Sequence, residues 1–176
     1  MAEFTHSRAV VSAIIEKEIN GEVHIYVQTR WKPDADPTNT GTLEIPAGGI
    51  DLNENVYAAI CREVKEESGL EITDFIDDYS SSAQVSTPGN SSIVFRPFIC
   101  QQSTETTGGQ AWVGYVFRCH AKGTEKVNLQ EAKDPRWISI EELKQILKFS
   151  PEKVFSLQLA TLRYYTQTLH SKIIKI

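Results

Sequence analysis

Two β-branched, apolar runs near the start of the chain predict a β-hairpin. They cover residues 8–18 and 22–31 and are joined around Asn20-Gly21. An Asn-Gly pair between two such runs favours the tight turn that connects antiparallel strands. Residues 32–41 are rich in turn-forming residues and predict an exposed loop, and residues 42–46 predict a short strand after it.

The clearest helical pattern follows that strand. Residues 56–68 contain no Gly or Pro and are rich in Ala, Glu, Lys and Arg, which favours a helix that Gly69 would end. One stripe of this helix is apolar, so we expect it to pack against a sheet. The stripe consists of Val56, Ala59, Ile60 and Val64.

The rest of the chain alternates between predicted strands and polar loops. We expect strands at 71–79, 93–102, 110–120 and 136–139. Pro97 would place the second of these at a sheet edge or a bulge. We expect loops at 80–92, with a turn at Pro88-Gly89, at 103–109 and at 128–134.

Two helices are predicted at the C-terminal end. Ser139 would cap a helix over 140–147. Ser150-Pro151 combines a capping residue with a proline favoured in the first turn, so the last helix is predicted to begin there and to reach about residue 170.

Composition indicates an ordinary globular chain. Its 176 residues suit a single domain over 1–176, with 40% hydrophobic and 23% charged residues. The net charge of −5 argues against long nucleic acid as a partner, because nucleic-acid binding needs clustered Lys and Arg. A phosphate substrate stays compatible with this charge, since a bound metal ion reverses the local sign.

The cysteines and the absence of a targeting pattern favour a cytoplasmic location. Cys61, Cys100 and Cys119 have no metal-ligand spacing, and three residues cannot all pair, so we expect buried free thiols. The first residues lack the pattern of a signal peptide, and no apolar run is long enough to span a membrane.

The predicted helix over 56–68 carries three carboxylates on one face. Glu63, Glu66 and Glu67 fall within one sector of a helical surface and would repel each other unless a positive charge lay between them. Hard divalent ions such as Mg²⁺ bind carboxylate oxygens and prefer phosphate as a co-ligand. Arg62 can pair with Glu54 only if the preceding loop folds back, which suggests a structural role for that pair.

An acidic run on a helix is more often simply a solvated face. The larger pattern argues otherwise, because its seven fixed residues and two aliphatic positions should arise by chance only on the order of once in ten million chains of this length. The pattern is Gly48-x5-Glu54-x7-Arg62-Glu63-Val64-x-Glu66-Glu67-x-Gly69-Leu70.

This pattern resembles the complete signature of the Nudix hydrolase family. The resemblance implies an α/β fold, the Nudix α/β/α sandwich with a mixed β-sheet, and hydrolysis of a nucleoside diphosphate linked to another moiety. It also implies that Glu63, Glu66 and Glu67 bind one to three Mg²⁺ or Mn²⁺ ions, together with the backbone carbonyl of Ala47. Homodimerisation is a further tendency of the family.

A general base would help to remove a proton from the attacking water. In the family this base is either a signature glutamate or a glutamate from a later loop. Glu131, six residues before Trp137, is the favoured loop candidate, and Glu105 in the loop 103–109 is the alternative. Either residue also reads as a plain surface glutamate.

Substrate choice is less constrained by the sequence. Residues 44–51 (EIPAGGID) resemble the entry to the signature in the ADP-ribose pyrophosphatase branch, which also tends to carry a proline beyond the signature, here Pro88. Arg30 and Trp31 could hold a phosphate or stack a base, and equally could be ordinary surface residues. Nucleotide sugars, dinucleoside polyphosphates and an oxidised nucleoside triphosphate stay open as substrates. So does a non-catalytic nucleotide-binding module, whereas a purely structural domain is remote.

Overall fold

A mixed β-sheet with helices on both faces forms the centre of the computed structural model, which describes residues 7–106 and 111–171. The strands of the main sheet are β1 (Arg8–Ile19), β2 (Glu22–Arg30), β3 (Leu43–Glu44), β4 (Ala47–Gly49), β5 (Glu71–Phe75), β10 (Ile99–Gln102), β11 (Trp112–Lys122) and β12 (Ala132–Ser139). They are arranged in the order β10-β11-β1-β2-β12, with β3 beside β2, β4 beside β1 and β5 beside β11. Two small sheets are formed by β6 (Tyr79–Ser80) with β9 (Phe95–Arg96) and by β7 (Gln84–Thr87) with β8 (Asn90–Ser92). The helices are α1 (Val56–Ser68), α2 (Ile140–Phe149) and α3 (Ser156–Ser171).

The predicted hairpin is confirmed in β1 and β2. Asn20 and Gly21 both adopt positive φ angles, 53° and 81°, as the favoured two-residue hairpin turn requires. β1 also pairs in parallel with β11, from Arg8 opposite Trp112 to Glu16 opposite His120. This parallel pairing makes the sheet mixed.

Alternate residues of β1 face two separate apolar layers, as the two-residue period of a strand requires. Val11, Ala13 and Ile15 pack in the layer that contains the stripe of α1. Ile14 packs in the other layer, with residues from α2 and α3. The predicted α/β/α sandwich is therefore confirmed.

The prediction of an irregular loop over 80–92 is wrong. The structure has a hairpin there, β7 and β8, with its turn at Pro88-Gly89 as expected. Every residue of both strands is exposed. The segment therefore lacks the alternation of apolar and polar residues by which half-buried strands are recognised.

Three predicted strands differ from the observed ones in length or continuity. The strand predicted at 93–102 is split at Pro97 into β9, which pairs with β6, and β10, which lies at the edge of the main sheet. Proline has no N–H to donate to a ladder, so the break falls there. The strand at 71–79 ends at Phe75, and β12 begins at Ala132 rather than at 136.

The predicted start of the last helix is also wrong. Residues Pro151–Lys153 form a separate 3-10 turn, and α3 begins only at Ser156. Between them Val154 is extended and buried, and the N–H of Phe155 donates to the carbonyl of Leu43 at 2.8 Å. This tertiary pairing outweighs the local capping signal. The helix predicted at 140–147 is confirmed as α2, with the Ser139 hydroxyl accepting from the N–H of Glu142.

Two expectations from composition can be compared with the described residues. All three cysteines are free, but only Cys119 is buried, whereas Cys61 is half-buried and Cys100 is exposed. No helix in the described part of the chain is long and apolar enough to cross a membrane. Residues 107–110, which include part of the loop predicted at 103–109 and the first residue of the strand predicted at 110–120, lie outside the described residues.

Candidate active site

The helix α1 is the element that presents the candidate metal carboxylates. Its bounds agree with the prediction, because both of its ends are fixed by local chemistry. The Asn55 side chain accepts from the N–H of Tyr57 at the start, and Gly69, with φ 76°, donates to the carbonyl of Lys65 at the end. The buried apolar stripe then sets the rotation of the helix about its axis.

A cavity of about 420 Å³ lies beside this helix, and we call it the carboxylate cavity. Five carboxylates line it, Glu44, Glu63, Glu66, Glu67 and Glu131, against three basic side chains, Arg8, Arg30 and Lys32. The excess of negative groups favours a cation in this cavity. All three carboxylates that the sequence singled out are brought together here.

Glu67 is the most deeply buried of the three signature carboxylates, with 6% of its side chain exposed. Its Oε2 accepts from the side-chain amide of Gln28 at 3.1 Å and from the N–H of Ala47 at 3.1 Å. The ammonium of Lys32 lies 4.0 Å from its Oε1. Burial and, to a lesser extent, the nearby Glu44 raise the pKa of Glu67 to about 8, whereas Lys32 and the Ala47 N–H act in the opposite direction.

Glu63 lies directly over Gly48. A Cβ atom at position 48 would stand 1.9 Å from the carboxyl carbon of Glu63, so only glycine leaves room for that carboxylate. Burial raises the pKa of Glu63, and the guanidinium of Arg62 partly offsets this. The signature glycine thus shapes the floor of the carboxylate cavity.

Arg62 fixes the loop before α1 and also neutralises the helix carboxylates. It donates to Glu54 at 2.9 and 2.8 Å and to the carbonyl of Gly49 at 3.0 Å, so the loop does fold back as its expected structural role requires. The same guanidinium contacts Glu63 at 2.7 Å and Glu66 at 3.3 Å. Arg62 holds the pKa of Glu54 down at about 2.

Glu44 and Gln28 belong to this site but were not identified from the sequence. Both are buried, and the Gln28 amide donates to Glu44 at 3.4 Å as well as to Glu67. Arg30 pairs with the other oxygen of Glu44 at 2.9 Å. The signal in the sequence that could have identified Gln28 was its position as a polar residue in the otherwise apolar central part of β2.

Arg30 and Trp31, the sequence candidates for substrate contact, lie in different surroundings. Arg30 lines the carboxylate cavity, but its guanidinium is engaged by Glu44 and, at 2.9 Å, by Asp36. Trp31 lies outside that lining, and the ammonium of Lys133 stands 3.1 Å from the centre of its ring. Their role in substrate binding stays a prediction.

The two candidate bases lie in different cavities. Glu131 lines the carboxylate cavity and pairs with Lys32 at 2.7 Å. Glu105 lines a neighbouring cavity of about 970 Å³, which we call the outer compartment. Glu131 is therefore the candidate that shares a cavity with Glu63, Glu66 and Glu67.

The donor set fits a hard divalent cation, because the carboxylate cavity offers oxygen ligands and no thiol or imidazole. Within residues 7–106 and 111–171, no group of three His, Cys, Asp or Glu side chains stands ready-made as a metal site. Arg62 occupies Glu63 and Glu66, and Glu67 faces Gln28 and Ala47. These contacts use one oxygen of Glu63 and one of Glu66, so a metal ion would bind these carboxylates through their other oxygens or in place of Arg62.

The raised pKa of Glu67 predicts an unusual pH dependence of stability in the metal-free protein. The unfolded chain ionises this carboxyl near 4.5 and the folded protein only near 8. The contribution of Glu67 to the free energy of unfolding is therefore most favourable below pH 4.5. It falls by up to about 5 kcal/mol as the pH rises to about 8 and stays constant above that pH. Glu67→Gln should remove this part of the pH dependence.

Urea unfolding in the presence of a chelator, at pH 5 and pH 9, tests that expectation. Comparison with Glu67→Gln isolates this group from Glu44, whose pKa burial also raises. The variant should gain free energy of unfolding relative to the wild type at pH 9 but not at pH 5. An equal difference at both pH values would contradict the ionisation of a buried Glu67.

Comparison with known proteins agrees with the sandwich and the signature. The family profile described as NUDIX domain matches residues 6–158. A MutT protein from Methanosarcina mazei has a similar structure, with 16% identity, a TM-score of 0.62 and coverage of 99% of this chain and 100% of that one. A Nudix-family hydrolase from Clostridium perfringens has 16% identity, a TM-score of 0.59 and coverage of 93% and 99%.

A third similar structure is the NUDIX domain of Shewanella oneidensis NrtR, complexed with ADP ribose. It has 11% identity, a TM-score of 0.64 and coverage of 94% of this chain and 90% of that one. No curated protein matches the chain in sequence. At these identities the three structures establish a shared fold, and the family profile covers most of the chain. The chain therefore belongs to the Nudix family of hydrolases.

Proposed function

We propose that this protein hydrolyses the diphosphate linkage of a nucleoside diphosphate joined to another moiety, in a reaction that depends on Mg²⁺ or Mn²⁺. ADP-ribose-like compounds and nucleotide sugars are the favoured substrates. The observation that carries the proposal is the arrangement of Glu63, Glu66 and Glu67 from α1 around one cavity, with Gly48 leaving space for Glu63.

Glu63, Glu66, Glu67 and the carbonyl oxygen of Ala47 would hold the metal. When bound, the metal neutralises phosphate oxygens and lowers the pKa of a bound water. Gln28 and the N–H of Ala47 hold one oxygen of Glu67 and thereby limit its rotation. Lys32 lies at the same cavity and can add positive charge near the developing oxyanion.

The chemical step is attack of water on one phosphorus of the diphosphate. An oxygen–phosphorus bond forms, the bridging phosphoanhydride bond breaks, and the water proton passes to a base. Glu131 is our favoured base, since it lines the carboxylate cavity. In the present arrangement the ammonium of Lys32 lies 2.7 Å from Glu131.

Replacing the two candidate bases in parallel separates them. Glu131→Gln should lower kcat at saturating Mg²⁺ by about a hundredfold or more, because general base catalysis typically contributes that much. Glu105→Gln, whose side chain lies in the outer compartment, should leave kcat nearly unchanged. If Glu105→Gln alone slows the reaction, the assignment is reversed, and if neither does, the base lies within the signature or no base is needed.

Two observations support the choice of substrate class. The segment from Glu44 to Asp51 resembles the ADP-ribose pyrophosphatase branch, and the structurally similar NrtR domain is complexed with ADP ribose. We also propose a cytoplasmic setting, in keeping with three free cysteines.

Phosphate release from a panel of compounds tests the proposal. The panel contains ADP-ribose, nucleotide sugars, dinucleoside polyphosphates and nucleoside triphosphates, each with Mg²⁺, Mn²⁺ or a chelator and a coupled phosphatase. Metal-dependent turnover of an ADP-ribose-like compound is the expected result. If no compound of the panel is hydrolysed and one nucleotide raises the melting temperature, the protein is a non-catalytic nucleotide-binding module instead.

A further inference from the structure

The carboxylate cavity does not end at the carboxylates. It is continuous in its lining with the outer compartment, since Arg8, Val10, Arg30, Trp112 and Leu157 line both. The outer compartment extends to polar groups of the loop after β2, including Asp36 and Asn39. A substrate with two ends could therefore place one end at the carboxylates and the other in the outer compartment.

Arg8 stands at the junction of these two spaces. It is the first residue of β1, and its N–H donates to the carbonyl of Ala111 at 2.8 Å. Its guanidinium lies against the backbone of Gly49, so that a Cβ atom there would stand 2.1 Å from one of its nitrogens. Gly49 follows Gly48, over which the Glu63 carboxylate lies, so this cation is next to the carboxylate group without being part of it.

Arg8 differs from the other basic residues at the carboxylate cavity, because its guanidinium forms no ion pair with a carboxylate of the described residues. Arg30 is paired with Glu44 and Asp36, and Lys32 with Glu131. Over the ranges 7–106 and 111–171, no carboxylate lies within ion-pair distance of Arg8. A guanidinium with free donors is well suited to bind a phosphate through two hydrogen bonds.

Trp112 provides an aromatic surface beside that charge. It lies directly opposite Arg8 in the parallel pairing of β1 and β11. Its ring lies over Gly114, where an added Cβ atom would stand 2.8 Å from the ring carbon Cζ3. The half-buried indole lines both cavities, and an aromatic ring in that position can stack against a nucleobase.

We propose that Arg8 and Trp112 form the substrate subsite for the nucleoside half. Arg8 binds the phosphate that lies farther from the metal carboxylates, and Trp112 stacks the base at the entrance to the outer compartment. This inference rests on the proposed function and refines it. In this proposal, Arg8 and Trp112 are an Arg–Trp pair brought together by β1–β11 pairing, whereas Arg30 and Trp31 are neighbours in sequence.

Equilibrium binding of simple probes tests the subsite without turnover. Adenosine, ADP and inorganic pyrophosphate are titrated calorimetrically into the full chain carrying Arg8→Gln, Arg8→Lys, Trp112→Leu or Trp112→Phe. Arg136→Gln, in which an exposed arginine that donates to the carbonyl of Asp134 is replaced, serves as the matched control. Circular dichroism verifies that each variant is folded.

The expected pattern differs between the two residues. Arg8→Gln should lower the affinity for ADP by about tenfold or more and leave the affinity for adenosine unchanged, with partial recovery of ADP affinity in Arg8→Lys. Trp112→Leu should weaken both adenosine and ADP, with recovery in Trp112→Phe, and leave pyrophosphate unchanged. Unchanged ADP binding in either Arg8→Gln or Trp112→Leu, or no binding of ADP by the wild type, would overturn the inference.

The same experiment separates this inference from the proposed function. If the wild type shows the binding pattern but hydrolyses nothing in the panel, the subsite stands and the hydrolase proposal fails. If the wild type hydrolyses a nucleoside diphosphate derivative and both variants keep its kcat/KM and the ADP affinity, the subsite alone is wrong.

Discussion

Glu67→Gln should reduce metal-dependent turnover by about a hundred- to a thousandfold, the range typical when one group that stabilises developing charge is removed. The substitution keeps the shape of the side chain and an oxygen for Gln28 and the Ala47 N–H to contact. It removes the negative charge that a metal requires. Folding should be preserved at neutral pH, because a neutral amide is cheaper to bury than a carboxylate.

Two measurements on this variant are needed, kcat with the best substrate of the panel and the affinity for Mn²⁺. Both should fall in Glu67→Gln. Glu22→Gln, which replaces an exposed glutamate at the start of β2, is the control and should behave as the wild type. Near-normal turnover with normal Mn²⁺ affinity in Glu67→Gln would remove this residue from the metal site.

Gly48→Ala should impair metal binding while leaving stability nearly unchanged. The new methyl group would occupy the space of the Glu63 carboxyl group, which is the flexible end of a side chain and can swing away. Its displacement should weaken Mn²⁺ binding by about ten- to a hundredfold, the effect commonly found when groups that orient metal ligands are lost. The free energy of unfolding should change by less than about 1 kcal/mol, since the three atoms nearest to the new methyl group all belong to the flexible Glu63 side chain.

Three further variants show whether Gly48→Ala acts through Glu63. In a double-mutant cycle, Gly48→Ala combined with Glu63→Gln should cost no more Mn²⁺ affinity than Glu63→Gln alone. Gly49→Ala, whose methyl group would contact Arg8 instead, should keep the affinity for Mn²⁺ and lower the affinity for ADP. Additive losses in the cycle would mean that Gly48→Ala perturbs the site by another route.

The sequence was most informative where local chemistry determines structure. The helix α1 was predicted correctly at both ends, because its interior lacks Gly and Pro and Gly69 takes a positive φ angle. The hairpin at Asn20-Gly21 was predicted for the same kind of reason. The signature residues could be identified because their spacing matches one helix, α1, and the loop before it, which Arg62 holds in place.

Tertiary pairing decided the features that sequence reasoning missed. The start of α3 depends on the bond between Phe155 and Leu43, which are distant in sequence. The contact of Gln28 with Glu67 joins residues 39 positions apart. Arg8 and Trp112 become neighbours only through the parallel pairing of β1 with β11, so no local motif marks them.

The location of a bound metal ion tests the central claim most directly. Crystals soaked in Mn²⁺ should show an anomalous difference peak in the carboxylate cavity, within about 2.0–2.3 Å of oxygens of Glu63 and Glu67, as expected for a hard divalent cation. A peak elsewhere, or no peak between the helix carboxylates at saturating Mn²⁺, would contradict the metal site on which the proposed hydrolysis depends.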